Sequence, residues 1–505
     1  MINQWSSLLP LAIVLSSLLP GLVIFTLGEQ QNRLRVFLNL LGVVLKLLLV
    51  GLLLWGVARG MSFHFSLPLV PGGNLVLHGD ALSLQFVSLS TVLWLATTVY
   101  AIGYLRDSPL RSRFFGYFSL CVSATVGLAL AGNLVTFLLF YELLTLATFP
   151  LVVHNGTAAA LRAGRIYMTY ALSGGALLLM GSALLHSLGG SPNFVEGGYL
   201  LPLLDEHRPS LMLAFGLLIA GLGVKAALIP LHGWLPQTMV APAPVSALLH
   251  AVAVVKAGAF GIVRVVYDVY GVEPMQAMNL HVPLLALAAA TVLYGSLKAL
   301  QQQELKKRLA YSTVSQVSYI TMGVALLGPI AAIGALAHLV HQGLMKITLF
   351  FCAGNFAETL GVHRVREMDG IGRRMPLTMT AFTLCALGMI GAPPTAGFIS
   401  KWYLGLGALE SGWPIILLVL VMSGLLNAAY FLPLVYRGWF AQPKADWPTE
   451  SRVAITRWGW REAPLLLLLP TLFTAALALL TGILAGAGFS PLAWSELIIN
   501  REFDL

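Results

Sequence analysis

Of the 505 residues, 58% are hydrophobic and 10% charged, and the mean hydropathy is +0.85. A soluble globular chain carries roughly 25% charged residues, so this composition excludes one and predicts a membrane protein. The formal charge of +9 does not point to nucleic acid, because the basic residues sit in short loops and form no single basic face.

Long apolar runs recur from end to end, each able to cross about 30 Å of hydrocarbon as a helix, whereas the short alternating segments of a β-barrel are absent. The opening Met1-Ile2-Asn3-Gln4-Trp5 lacks a basic region and a small-residue cleavage site, which predicts an uncleaved first helix. The predicted class is an all-α polytopic membrane protein of about fourteen helices, at 6–27, 36–57, 81–105, 114–131, 133–153, 165–188, 210–231, 244–267, 281–299, 309–327, 330–355, 375–409, 414–440 and 463–487. The seventh ends in Ile229-Pro230-Leu231-His232-Gly233-Trp234-Leu235-Pro236. The twelfth is too long for one straight crossing and holds Pro393-Pro394. Both are predicted to break inside the membrane.

The helix count makes a charge prediction. Loops after helices 1, 3, 5, 9, 11 and 13 hold 20 of the 29 lysines and arginines, Arg106, Arg111, Arg113, Lys306, Lys307 and Arg308 among them. The other face holds Arg59, Arg208, Arg264 and Arg501, together with Asp205, Glu206, Asp268 and Glu273. Basic loops stay cytoplasmic, so both termini are predicted to be periplasmic in a bacterial inner membrane, and the loop 364–374 is read as a positive-inside marker. Cys121, Cys352 and Cys385 lie in apolar runs without ligand spacing, which predicts buried thiols. Three scattered cysteines cannot hold an iron–sulfur cluster, and no flavin or haem spacing occurs. No cofactor, no metal, and no redox or hydrolytic site of the chain's own is expected.

Five lysines fall inside predicted helices: Lys46, Lys225, Lys256, Lys346 and Lys401. Glu142 lies mid-helix in Phe140-Tyr141-Glu142-Leu143, Lys225 precedes the seventh-helix break, and Lys256 sits in the eighth helix beside Gly258. His338, His341 and Lys346 share the eleventh, and Lys401 follows the Pro393-Pro394 break. Ionisable groups at membrane depth are costly and default to a functional reading. A lysine with a carboxylate nearby stays charged; without it, desolvation releases the proton. Histidine can bridge such sites through water, and broken helices admit that water. The plainer readings are a structural ion pair for Glu142 and Lys225, interhelical hydrogen bonding for His250 and His341, backbone capping for His232, and snorkelling or a partner contact for Lys46.

These motifs resemble the antiporter-like subunits shared by respiratory complex I, membrane-bound hydrogenases and the multisubunit Mrp cation/proton antiporters. The likeness covers roughly residues 80–440. It is carried by Phe140-Tyr141-Glu142-Leu143, by Lys225 through Pro236, by Ala241 through His250 with Lys256, by Glu304 through Gln316, by His338 with Lys346, and by Gly391 through Lys401. The resemblance implies two inverted five-helix repeats, helices 4–8 and 9–13, with helices 7 and 12 discontinuous. It implies that Glu142 pairs with Lys225 and that protons pass through Lys256, His338 and Lys346 toward Lys401. Where the family has a second histidine four residues after His338, this chain has Gln342, with His341 beside it. The nearest type is the D subunit of Mrp antiporters, given Lys401 and the stretch Gly372-Arg-Arg-Met-Pro-Leu-Thr-Met379. The alternative is a proton-pumping membrane-arm subunit of a complex I-like oxidoreductase or hydrogenase; a stand-alone transporter is a third reading. The implied partners are other membrane subunits, the lipid bilayer, protons and a monovalent cation such as Na+. The expected division is 1–110 (helices 1–3), 111–440 (the proton-translocating core) and 441–505 (loop, helix 14 and tail).

Overall fold

The computed structural model describes residues 2–70, 73–189, 193–443, 447 and 461–503. Each predicted span has a helical counterpart. Eleven described helices are long and apolar enough to cross a bilayer, and the chain is a multi-pass membrane protein. The other three are helix 4 (Arg111–Ala129), helix 10 (Leu305–Ala325) and a broken helix 12 (Pro376–Ile390, then Ala396–Glu410). Helices 4 and 10 are less apolar for a physical reason: nearly all of their side chains are buried, so their Ser and Thr meet protein rather than lipid. At about 1.5 Å per residue, the 21 residues of helix 10 still span roughly 31 Å.

Local chemistry sets the boundaries. Asp80, Asn133 and Thr157 accept hydrogen bonds from the main-chain N–H three residues on, at 2.6, 2.7 and 3.1 Å. These caps open helices 3 (Ala81–Tyr104), 5 (Leu134–Val152) and 6 (Ala158–Ser187). Helix 11 (Pro329–Leu360) is almost wholly buried and runs through the core; Gly361 closes it in the left-handed conformation.

The structure corrects the predicted spans in four places. Helix 7 (Leu204–Ala226) stops ahead of Pro230, with Ala227 left-handed and the indole Nε1 of Trp234 donating to the freed Val224 carbonyl at 2.7 Å. Helix 8 was expected to be continuous but is divided into Ala243–Ala251 and Val254–Arg264, because Val252 and Ala253 leave helical geometry. Residues 59–80, where no strand is predicted, form an antiparallel hairpin of β1 (His64–Val70) and β2 (Gly73–His78). It lies across the start of helix 5, where Gly132 N–H donates to the Val76 carbonyl at 2.9 Å. The C-terminal tail contains a further helix 15 (Pro491–Glu502), docked on helix 3 through Trp494 Nε1 to the Ala81 carbonyl at 2.8 Å and Gln85 Nε2 to Ser495 Oγ at 2.8 Å. Most of the loop between helices 13 (Pro414–Phe440) and 14 (Leu465–Ile483) lies outside the described residues.

Candidate proton path

The predicted site residues fall into three groups across the core. The first is at the break in helix 7. Lys225 lies in the last helical turn, where its Nζ donates to the Tyr141 carbonyl and sits 3.4 Å from the centre of the Tyr141 ring. Tyr141 in turn donates through its hydroxyl to the Gly221 carbonyl at 2.8 Å, tying helix 5 to helix 7. The expected Glu142–Lys225 contact pair is not made. The Glu142 carboxylate lies against Gly175 of helix 6, in the space a Cβ there would fill, while remaining within electrostatic reach of Lys225. Residues adjacent on a helix point about 100° apart, so Tyr141 takes the lysine while Glu142 turns to helix 6.

The second group surrounds His338. Lys256 donates to the Leu339 carbonyl of helix 11 at 2.7 Å. His338 Nδ1 is 2.8 Å from Ser400 Oγ, and the Tyr319 ring lies 5.3 Å from the imidazole. Tyr319 also lies under Lys401, 5.4 Å from Nζ to ring centre. Lys401 donates to the carbonyls of Met389 and Ile390 at 2.6 and 3.0 Å, the last of the first half of helix 12. Gly391 makes this possible: its φ is +99°, and a Cβ there would approach Lys401 Cδ to 2.9 Å.

In the third group, Lys346 donates to Ser312 Oγ and to the Leu309 carbonyl at 3.1 Å on helix 10, and His250 stacks on Phe350 at 4.6 Å. His232 stands apart at the mouth of the helix 7 break, edge-on to Tyr294 at 4.9 Å. Lys46 joins none of the three groups, and it does not snorkel: its side chain is wholly buried.

The core helices also bury polar atoms that no protein group among the described residues satisfies: both ring nitrogens of His250 and the side-chain amides of Gln316 and Gln342. Tyr319 is hydrogen-bonded to Ser423, His338 to the Gln316 main chain and His341 to the Ala396 main chain. Buried polar groups are nearly always satisfied by protein or by water, so these positions suit bridging water. A cavity of 690 Å³ on the basic-loop side, lined by Glu304, Lys306, His363 and Arg364, reaches the start of helix 8 at Pro242.

The sequence reading missed Tyr319, Ser312 and Ser400. For Ser312 and Tyr319 the signal was the polarity of helix 10, Ser312-Thr-Val-Ser-Gln-Val-Ser-Tyr319, which is unusual for a span; Ser400, on the second half of helix 12, gave none beyond its place beside Lys401. A second cluster was also missed. Arg264, counted on the outer face at the end of the predicted helix 8, is buried there, at 2.8 Å from Asp80 and 2.9 Å from Asp268. Burial alone would push Asp80 up, but Arg264 and the Ser83 N–H hold it below the usual carboxylate range. Glu502, on helix 15, is hydrogen-bonded to Asp268 and accepts from Gly197 N–H at 3.0 Å. Burial and the Asp268 charge push Glu502 up to about 9.

A family model described as "NADH:quinone oxidoreductase/Mrp antiporter, TM" matches residues 131–427. The chain is 40% identical over 359 residues to NADH-quinone oxidoreductase subunit N of Desulforudis audaxviator, across 70% of this chain and 71% of that protein. It is 31% identical over 454 residues to a probable K(+)/H(+) antiporter subunit of Rhizobium meliloti, across 88% of this chain and 44% of that longer protein. The fold matches a chain of the Mrp complex from Dietzia sp. DQ12-45-1b with a TM-score of 0.86 at 22% identity, over 99% of this chain and 98% of that one.

Proposed function

The chain belongs to the NADH:quinone oxidoreductase/Mrp antiporter transmembrane family, and from that premise we propose that it is the proton-translocating subunit of a multisubunit monovalent cation/proton antiporter. The observation that carries the reading is that His338 lies within electrostatic reach of both Lys256 and Lys401, with Tyr319 against His338 and Lys401, and that the buried lysines are held by carbonyls and hydroxyls. An ammonium held only by neutral groups can lose its proton without stranding a counter-ion, which a lysine locked in a salt bridge cannot do. Glu142 modulates Lys225 through the field rather than through a contact, so a proton arriving on Glu142 changes the hold on Lys225.

The breaks of helices 7 and 12, with Lys225 before one and Lys401 after the other, support two inverted repeats across helices 4–8 and 9–13. The proposed division is 1–110, 111–440 and 441–505; the family match at 131–427 lies within its middle segment and begins after helix 4. Lys/Arg asymmetry supports periplasmic termini in a bacterial inner membrane; a reporter fused after Leu505 that is active only in the cytoplasm would reverse that sidedness.

The test is Glu142→Ala and Lys225→Ala, each in the assembled complex in vesicles with a pH-sensitive dye. Each is expected to lower coupled proton movement by about a hundredfold, the order of a lost acid–base group. Wild-type rates in either variant would leave the pair a structural feature. A redox-driven membrane arm is the second reading, favoured by the 40% identity to an oxidoreductase subunit. Proton pumping that depends on quinone or hydrogenase substrates, with no cation exchange, would select it.

A further inference from the structure

Of the five intramembrane lysines, Lys46 on helix 2 (Asn32–Ala58) stands outside the proposed path. Its Nζ donates to Ser17 Oγ on helix 1 (Ile2–Phe25) at 2.5 Å, and Ser17 shares a 2.7 Å hydrogen bond with Ser123 Oγ on helix 4. No salt bridge among the described residues includes Lys46. The Trp94 ring lies 4.9 Å away, and its buried Nε1 has no hydrogen-bond partner.

From this point a polar seam leads to the basic loops. Ser119 Oγ donates to Asn39 Oδ1 at 3.3 Å, and Asn39 Nδ2 donates to the Arg35 carbonyl at 2.9 Å. Arg35 Nε donates to Ser112 Oγ at 3.0 Å, and its guanidinium lies 3.6 Å from the half-exposed Glu29. Arg35, Asn39 and Lys46 on helix 2 face Ser112, Ser119 and Ser123 on helix 4, each set at spacings of four and seven that keep to one helix face. The eleven residues from Arg35 to Lys46 rise about 16 Å, placing Lys46 near the middle of roughly 30 Å of hydrocarbon.

Ser, Asn and Gly at a helix seam are ordinary packing material in membranes. Gly42 and Gly21 fit that account, since a Cβ on either would come to 2.8 Å of Ser16 O or Ser119 Cβ. A lysine does not fit it. Packing needs no ammonium there, and the outward face of helix 2, with Leu45, Leu48 and Leu52 exposed, shows that Lys46 is turned away from lipid.

We propose that Lys46 is a second proton-exchanging site, loaded from the basic-loop face through the seam of helices 1, 2 and 4. In the exchange, the Lys46 ammonium gives one proton to the Ser17 hydroxyl, which passes its own on to Ser123 Oγ, and Lys46 becomes a neutral amine. A proton from the basic face restores it, and no other bond changes. This rests on the reading of the chain as a proton carrier, so Lys225→Ala accompanies the test.

Proton uptake is measured in vesicles on complexes first shown to be assembled. Lys46→Arg, Lys46→Met and Asn39→Leu are each expected to lower transport by at least about tenfold. Arginine keeps the charge and the donors but does not deprotonate, so a charge needed only for packing would be rescued in Lys46→Arg. Wild-type transport in Lys46→Arg overturns the site, and wild-type transport in Asn39→Leu overturns the route. If Lys225→Ala also transports like wild type, the carrier reading itself has failed.

Discussion

Lys401 shows how much chemistry one side chain can take from a helix end. The first half of helix 12 stops at Ile390, leaving the carbonyls of Met389 and Ile390 exposed, and Lys401 donates to both. A cation there also meets the negative end of the helix dipole. If Lys401 carries protons, Lys401→Arg should block turnover as completely as Lys401→Ala, by at least about tenfold, because arginine's pKa stays above about 12. Measuring dye-detected transport in the arginine variant decides it: a wild-type rate would make Lys401 a fixed charge. Such residues were legible in the sequence because a lysine in an apolar run is costly enough to need a reason. Tyr319, Ser312 and Ser400 were not, since hydroxyls cost little in a span and only the fold shows which of them meet a lysine or a histidine.

Helix breaks divide by cause in the same way. Those in helices 7 and 12 were legible because proline removes a donor and crowds the preceding turn. Helix 8 parts at Ala251-Val252-Ala253-Val254, a sequence with no breaker, so only tertiary contacts separate its halves. One of those contacts is Gly258. A Cβ there would run into the Leu222 carbonyl and the last turn of helix 7, so the glycine lets helix 8 lie directly against Lys225's turn. Gly258→Leu should therefore destabilise the protein by about 1–3 kcal/mol, the range for overpacking. Gly216→Leu, where nothing lies within 4 Å of a built Cβ, should be silent. Thermal unfolding of the two variants in lipid nanodiscs checks this; equal midpoints would show that the helix 7–8 contact yields without strain.

At the scale of the whole molecule, the charge pattern grouped Arg264 with the outer-face residues and did not show its environment. Counted among the outer-face charges, it knots together the start of helix 3, the end of helix 8 and, through Asp268, helix 15. The sequence hid this because Asp80 and Glu502 lie far in the chain from the Arg264–Asp268 pair, and because helix 15, at 12 residues, is too short to read as a span. The knot makes the docking of helix 15 depend on pH. Glu502 titrates near 4.5 when free and is pushed up to about 9 in the fold, first by burial and then by Asp268. The folded state thus binds this proton more tightly than the unfolded one, and stability must fall wherever the unfolded state has already lost it. The contribution is whole below about 4.5 and declines as pH rises towards about 9, where the ionised Glu502 faces Asp268 across a site with one arginine. Hydrogen exchange of the 491–502 amides, corrected for intrinsic rates, should show less protection at pH 9.5 than at pH 6. In Glu502→Gln, which keeps a hydrogen-bonding amide but has no proton to lose, protection should stay level across that range. Equal pH dependence in the two proteins would assign the loosening to another group.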